Sequence, residues 1–288
     1  MNSTSTRSWI AQLLHQGYCM IPNAVPAEMI AALNGDLDPV FAATPFGEGR
    51  FYGYRTKRFG GLLKRSPHVE TLVMQTTVLE MAETILGAAC DRIQLNVAQA
   101  IEIHPGEVQQ FPHRDHDMWD GAKGEHEYLI NVMWPLTPFT ADNGATRIYP
   151  FSHGGAGMAK ADPGKSVVAE CMPGDAICFL GSTAHGAGAN VSRDVRRGIV
   201  IGYSLGWLKP YENLWLAYPP EVARTFSPDL AALAGYVQHR PNLGNYEGQC
   251  PSILLGDETP DHIGAIDALR PDQEAMLADY MAATEAAS

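Results

Sequence analysis

The stretch Gln110-Phe111-Pro112-His113-Arg114-Asp115-His116-Asp117 follows a run of alternating apolar residues, Ile93, Leu95 and Val97, then Ile101 and Ile103. A period of two marks a strand with one buried face, so His113 and Asp115 are expected at the mouth of a strand-built cavity. Side chains two apart on an extended segment point the same way, which lets one imidazole and one carboxylate converge on a single metal ion. A third ligand must come from elsewhere, and His185 in Gly181-Ser182-Thr183-Ala184-His185-Gly186-Ala187-Gly188-Ala189-Asn190 is the best placed. Two histidines and a carboxylate on one face of an octahedron leave the opposite face open, the arrangement of non-haem Fe(II) oxygenases. His116 and Asp117 are the alternative ligands. His116 has the opposite strand parity, and Asp117 serves only if the extended conformation continues.

Strand and turn signals recur on either side of this stretch. Residues 128–136 read as a strand stopped by Pro135 and Pro138, and Asp142-Asn143-Gly144 as a turn into 145–149. Residues 166–171 are extended, Pro173-Gly174-Asp175 is a tight turn, 176–180 is a short apolar strand leading to His185, and 199–205 closes the barrel. The pattern predicts a mainly-β fold with flanking helices, whose core over 91–208 is a double-stranded β-helix (jelly-roll, cupin-like).

The flanks read differently. Residues 9–15 have helical spacing, 19–21 form a short strand ended by Pro22, and Pro26 opens a helix burying Met29, Ile30, Ala32, Leu33 and Leu37. Ser66, Pro67 and Gly87 frame one helix over 69–86. The N-terminal region, residues 1–90, is thus expected to be largely helical. Beyond 209 the chain is Pro-rich; Ser227-Pro228-Asp229 caps a helix to about Tyr236, 238–255 is loop-like, and a solvent-facing helix follows Arg270. This extension, 209–288, is expected to cover the barrel mouth or to join two copies, which leaves a homo-oligomer open. A chain of 288 residues with this pattern is expected to be one domain, 1–288.

A net charge of -12 argues against nucleic acid as the main partner, because neutralising phosphates needs clustered Lys and Arg. No apolar run reaches transmembrane length and residues 1–7 are polar, so no membrane partner and a cytoplasmic location are expected. Five scattered cysteines make no zinc pair and read as reduced. One basic stretch stands out: Arg50, Arg55, Lys57, Arg58, Lys64 and Arg65, interleaved with Phe51, Tyr52, Tyr54 and Phe59. It reads first as a solvated loop, and second as a receiver for an anionic part of a substrate.

In combination, Gln110, His113, Asp115, Asn143-Gly144-Ala145-Thr146, Pro150-Phe151-Ser152-His153, Pro173-Gly174-Asp175, His185, Asn190 and Arg196 resemble the phytanoyl-CoA dioxygenase (PhyH) family of Fe(II)- and 2-oxoglutarate-dependent dioxygenases. The resemblance spans most of the chain. It implies iron ligands at His113, Asp115 and His185. It also implies that Arg196, eleven residues beyond His185, binds the far carboxylate of 2-oxoglutarate, with Gln110 and Thr146 lining the cosubstrate pocket. The family's usual Pro-Gly-Ser-His is Pro150-Phe151-Ser152-His153 here, so this tight turn lacks its glycine.

A reason for Arg196 exists apart from the family: a planar guanidinium holds a carboxylate through two hydrogen bonds and stays charged. Arg197 next to it would face the other side of a strand.

The resemblance further implies an enzyme that consumes 2-oxoglutarate and O2, releases succinate and CO2, and most often hydroxylates a C–H bond. The carboxylate of Asp115 argues against chlorination, since halogenases of the superfamily carry a small residue there. Trp119, Tyr52, Tyr54, Phe59 and Trp134 are candidates to contact a small, largely apolar metabolite, although aromatic residues at strand spacing are more often core. A CoA thioester is the rival substrate, supported by the basic stretch. A metal-binding jelly-roll protein that isomerises or binds a small ligand without oxidising it is the rival class, and Arg196 separates the two.

Overall fold

The computed structural model describes residues 3–160, 162–258 and 261–287; Met1 and Asn2 of the polar start lie outside the described residues. Among the described residues the nine strands are β1 (Tyr18–Ile21), β2 (Thr56–Phe59), β3 (Ile93–Ile103), β4 (Leu129–Pro135), β5 (Thr146–Ile148), β6 (Val167–Val168), β7 (Ala176–Leu180), β8 (His185–Ala187) and β9 (Arg196–Leu205). A six-stranded sheet runs β1-β7-β4-β9-β3-β2, and a three-stranded sheet runs β6-β5-β8. All pairings are antiparallel. Two facing antiparallel sheets whose neighbours are distant in sequence make the jelly-roll expected from the strand pattern, with helices on its flank.

Two details depart from the sequence reading. The basic stretch is not simply a solvated loop: Thr56 to Phe59 form β2, paired with β3 from Ile103 to Ala100. The alternation from Ile93 to Ile103 also serves two faces, not one. A register shift between Leu95 and Val97 marks a β-bulge, and one extra residue turns the following side chains over. Ile93 and Leu95 therefore pack on the helical side, while Ile101 and Ile103 face the space between the sheets.

Helices α1 (Ser3–Gln16), α2 (Ala27–Ala43), α3 (His68–Val73) and α4 (Thr76–Leu86) flank the six-stranded sheet. Helix α2 buries Ile30, Leu33, Leu37 and Phe41, one apolar stripe at helical spacing. Each such side chain contributes about 1.5–3 kcal/mol on burial. The single helix expected over 69–86 is two. Gln75 is extended and its side chain accepts from the Val78 amide at 2.8 Å, which caps α4 and ends α3 at Met74. Against these helices the sheet presents Ala98, Ala100, Trp134, Ile199, Ile201 and Tyr203. Its other face, with Ile103, Met133, Ile177 and Phe179, closes on Ile148 of the smaller sheet.

After β9, the short helices Leu214–Ala217, Pro220–Ala223 and Pro228–Leu233 follow in turn. The last begins where Ser227 accepts from the Leu230 amide at 3.4 Å and ends at Leu233, short of Tyr236. The helix Pro271–Ala287 is exposed from residue 274 to residue 286. Among the described residues no helix is long and apolar enough to cross a membrane.

Candidate active site

His113 and His185 face each other across a β-bridge, each amide donating to the other's carbonyl, at 3.0 and 2.9 Å. Arg114 is extended, which keeps the Asp115 side chain beside that of His113. The chain then tightens into a turn over Asp115–Met118. This turn removes the alternative ligands. His116 is buried and stacks on Tyr128 at 4.1 Å between ring centres, and Asp117 pairs with Lys123 at 3.4 Å.

One donor atom from each of His113, Asp115 and His185 lies within 4.8 Å of the others. The Asp115 oxygens are 3.4 Å from His113 Nε2 and 3.5 Å from His185 Nε2. Each Nδ1 is 3.0 Å from a main-chain carbonyl, of Phe111 and Thr183 respectively. A carbonyl only accepts, so each Nδ1 carries the proton and each Nε2 turns a lone pair toward Asp115. Burial pulls the His185 pKa down to about 4, which keeps that ring neutral. For Asp115 burial opposes ionisation, but positive charge at the His185 and His113 positions, with the Asn131 amide, outweighs it and holds the carboxyl at about 2; with both rings neutral, a bound cation would supply that charge. Three acceptors thus converge with no proton among them. A cation satisfies that arrangement, and the two-nitrogen, one-carboxylate donor set suits Fe(II).

Asn131 on β4 donates to Asp115 Oδ2 at 2.8 Å. It has room because Gly202 stands opposite on β9, where a Cβ would lie 3.1 Å from Asn131 Oδ1.

The cluster opens on a cavity of about 110 Å³ that Arg196 also lines. Arg196 is 1% exposed, lies 3.6 Å above the Phe139 ring and donates to Thr146 Oγ1 at 3.2 Å. Its Nε has no partner, and no carboxylate of the described residues pairs with it. Burial lowers its pKa to about 9, so it is a cation at neutral pH. Gln110 lines the same cavity, accepts from the Ala187 amide at 3.1 Å and donates to the Phe51 carbonyl at 3.3 Å.

Of the five aromatic contact candidates, only Tyr52 lines this cavity. Trp134 is fully buried on the helical side, Phe59 packs there against Phe41 at 4.8 Å, Trp119 donates to the Lys209 carbonyl at 2.9 Å, and Tyr54 is 62% exposed. Strand parity explains Trp134, whose neighbour Met133 takes the cavity side. The cavity also holds Phe51, whose ring is 4.8 Å from that of His113, and Arg58, both from the basic stretch singled out in the sequence, together with Asn131 and Tyr211, which no motif marks. Parity from Met133 was the available signal for Asn131.

A jelly-roll enclosing a His-Asp-His cluster and a buried arginine defines the class of non-haem Fe(II)- and 2-oxoglutarate-dependent dioxygenases. Residues 13–198 match the phytanoyl-CoA dioxygenase (PhyH) family, and the chain belongs to that family. It is 30% identical to dioxygenase olcK of Penicillium canescens over 249 residues, 82% of each chain. Among solved structures, it resembles the non-heme alpha ketoglutarate dependent epimerase SnoN from nogalamycin biosynthesis, with a TM-score of 0.58 and 16% identity over 71% of this chain and 82% of that one. The corresponding carbocyclase SnoK matches with a TM-score of 0.56 and 16% identity, over 73% of this chain and 89% of that one.

Proposed function

We propose that this chain oxidises, by hydroxylation, a C–H bond of a small, largely apolar metabolite, with His113, Asp115 and His185 as the iron ligands and Arg196 as the anchor of 2-oxoglutarate. Bound iron supplies the activation of O2, coupled to decarboxylation of 2-oxoglutarate into succinate and CO2. The protein's share is holding, orienting and excluding water. The Phe111 and Thr183 carbonyls fix both imidazole tautomers. Asn131 occupies one oxygen of Asp115 and so leaves the other for the metal. Arg196 and the Thr146 hydroxyl meet the far carboxylate of the cosubstrate. Gln110 ties β8 to the Phe51 loop and so shapes the cavity wall. Phe179, Ile101 and Met133 keep that wall apolar.

The observation that carries this reading is Arg196. A buried guanidinium without an anion costs several kcal/mol in desolvation, and its position in the cavity of three converging acceptors suits a ligand that joins cation to metal. A jelly-roll protein that only bound a metal would have no use for it.

The basic stretch offers a CoA thioester little. Lys57 donates to the Phe41 carbonyl, Arg55 to the Pro105 carbonyl and Arg65 to the Gly60 carbonyl, while Arg58 turns into the cavity. Adding Fe(II) and 2-oxoglutarate without oxygen should give a visible charge-transfer colour, and admitting oxygen should release succinate. A folded chain that binds Fe(II) but gives neither signal with 2-oxoglutarate would refute the assignment.

A further inference from the structure

A second, larger cavity of about 540 Å³ lies where β3 begins and the chain leaves β9. Pockets for drug-sized ligands span roughly 300–1,000 Å³. The cavity at the His-Asp-His cluster, about 110 Å³, falls below that range before 2-oxoglutarate has entered it. The body of a substrate needs other space. Tyr211 lines both cavities, and its hydroxyl lies 2.8 Å from that of Tyr52, which joins it to the wall of the smaller one.

The walls state what the larger cavity takes. Trp207, Trp215, Pro210, Val237 and Leu243 give it apolar, flat surfaces for rings, and Arg92, Lys209, Gln94 and Asn213 add polar groups. His239, 9% exposed, also lines it. The Asp91 amide donates to His239 Nε2 at 3.0 Å, which fixes this ring in the cavity wall.

Resting on the iron and 2-oxoglutarate reading above, we propose that this cavity is the substrate's main compartment. It takes a largely apolar, ring-containing molecule that lies against Trp207 and Trp215 and passes its reacting carbon beyond Tyr211 to the metal. The C-terminal extension is then the region of the chain that selects the substrate.

The test uses the full chain and the fluorophore 1-anilinonaphthalene-8-sulfonate, whose emission rises in an apolar site. Wild type should bind it. Ala232→Trp and Leu243→Trp, both facing this cavity and outside the metal cluster, should each weaken binding about tenfold, equivalent to roughly 1.4 kcal/mol. For any ring compound that stimulates succinate release, Ala232→Trp should raise KM about tenfold with kcat little changed. Unaltered fluorophore binding in both variants would overturn the proposal. So would an unmoved KM. The anaerobic colour with Fe(II) and 2-oxoglutarate, expected intact in both variants, reports separately on the iron reading: its absence from wild type sinks that reading, whatever the fluorophore does.

Discussion

Arg196 and Arg197 are neighbours on β9, and the two faces of that strand treat them oppositely. Arg197, on the helical side, donates to Glu102 at 2.6 Å and to Asp38, and its guanidinium lies 4.5 Å above the Phe41 ring. All its charge is met by the protein. Arg196, on the cavity side, has an aromatic face and one hydroxyl, and no carboxylate of the described residues. On the helical face the guanidinium is paired within the chain, whereas the cavity face holds one cation and three acceptors for which the described residues supply no counterion. A charged side chain left without a counterion on the buried face of a strand marks where a ligand belongs; the same side chain paired on the other face marks only stability.

The largest effect should come from Asp115→Ala. Altering even a group behind the metal ligands costs about 10- to 100-fold in affinity, so loss of the carboxylate itself should cost at least about 100-fold and abolish succinate formation. Titration of the variant with Fe(II) under nitrogen measures it, and affinity equal to wild type would place the metal elsewhere.

Arg196→Met and Arg197→Met divide the two faces directly. Removing a buried, hydrogen-bonded charge from its ligand costs roughly 2–5 kcal/mol, which predicts a KM for 2-oxoglutarate raised ~30-fold or more by Arg196→Met. The same variant should leave the ligand-free protein equally stable or more so, since an unpaired buried cation becomes an apolar side chain of similar size. Arg197→Met should do the reverse. It leaves Glu102, 3% exposed, with one fewer cation, and should lower stability by about 1–3 kcal/mol while KM stays put. Thermal unfolding and succinate kinetics on both variants decide it, and a raised KM in Arg197→Met would erase the distinction between the faces.

Asn131→Ala should act more mildly. It frees the second oxygen of Asp115 without removing a ligand, so metal affinity should fall about 10- to 100-fold, with the anaerobic charge-transfer band shifted. An unmoved band would show that Asn131 merely fills space beside Gly202.

The strands and the residues now found in the cluster were readable because a period of two survives in sequence, and because His113 and Asp115 share a parity across one extended residue. What stayed hidden has physical causes. The bulge at Leu95 and Val97 leaves no mark in the alternation, so one apolar series became two faces. Strand β2 is rich in charge because it lies at the sheet edge, with Arg58 turned inward and Lys57 beside Glu102 at 3.8 Å. Tyr52 and Tyr211 meet across loops far apart in sequence, which no spacing rule reaches. At Pro150-Phe151-Ser152-His153, where the family's usual sequence has glycine, Phe151 takes a φ of +61°, at a cost of order 1–3 kcal/mol.

The smallest effect should come from Trp134→Phe, and its smallness is informative. Trp134 is fully buried on the helical face, opposite in parity to Met133, yet its indole Nε1 has no partner among the described residues. Phenylalanine removes an unsatisfied N–H, which relieves about 1–3 kcal/mol of desolvation, and leaves a void that costs a similar amount. The terms oppose, so stability should move by no more than about 1 kcal/mol. Succinate formation and its KM values should stay at wild-type levels, because no atom of this ring reaches the cavity. A change in substrate preference would mean that the sheet transmits its helical face to the site, and the two faces would no longer be separable.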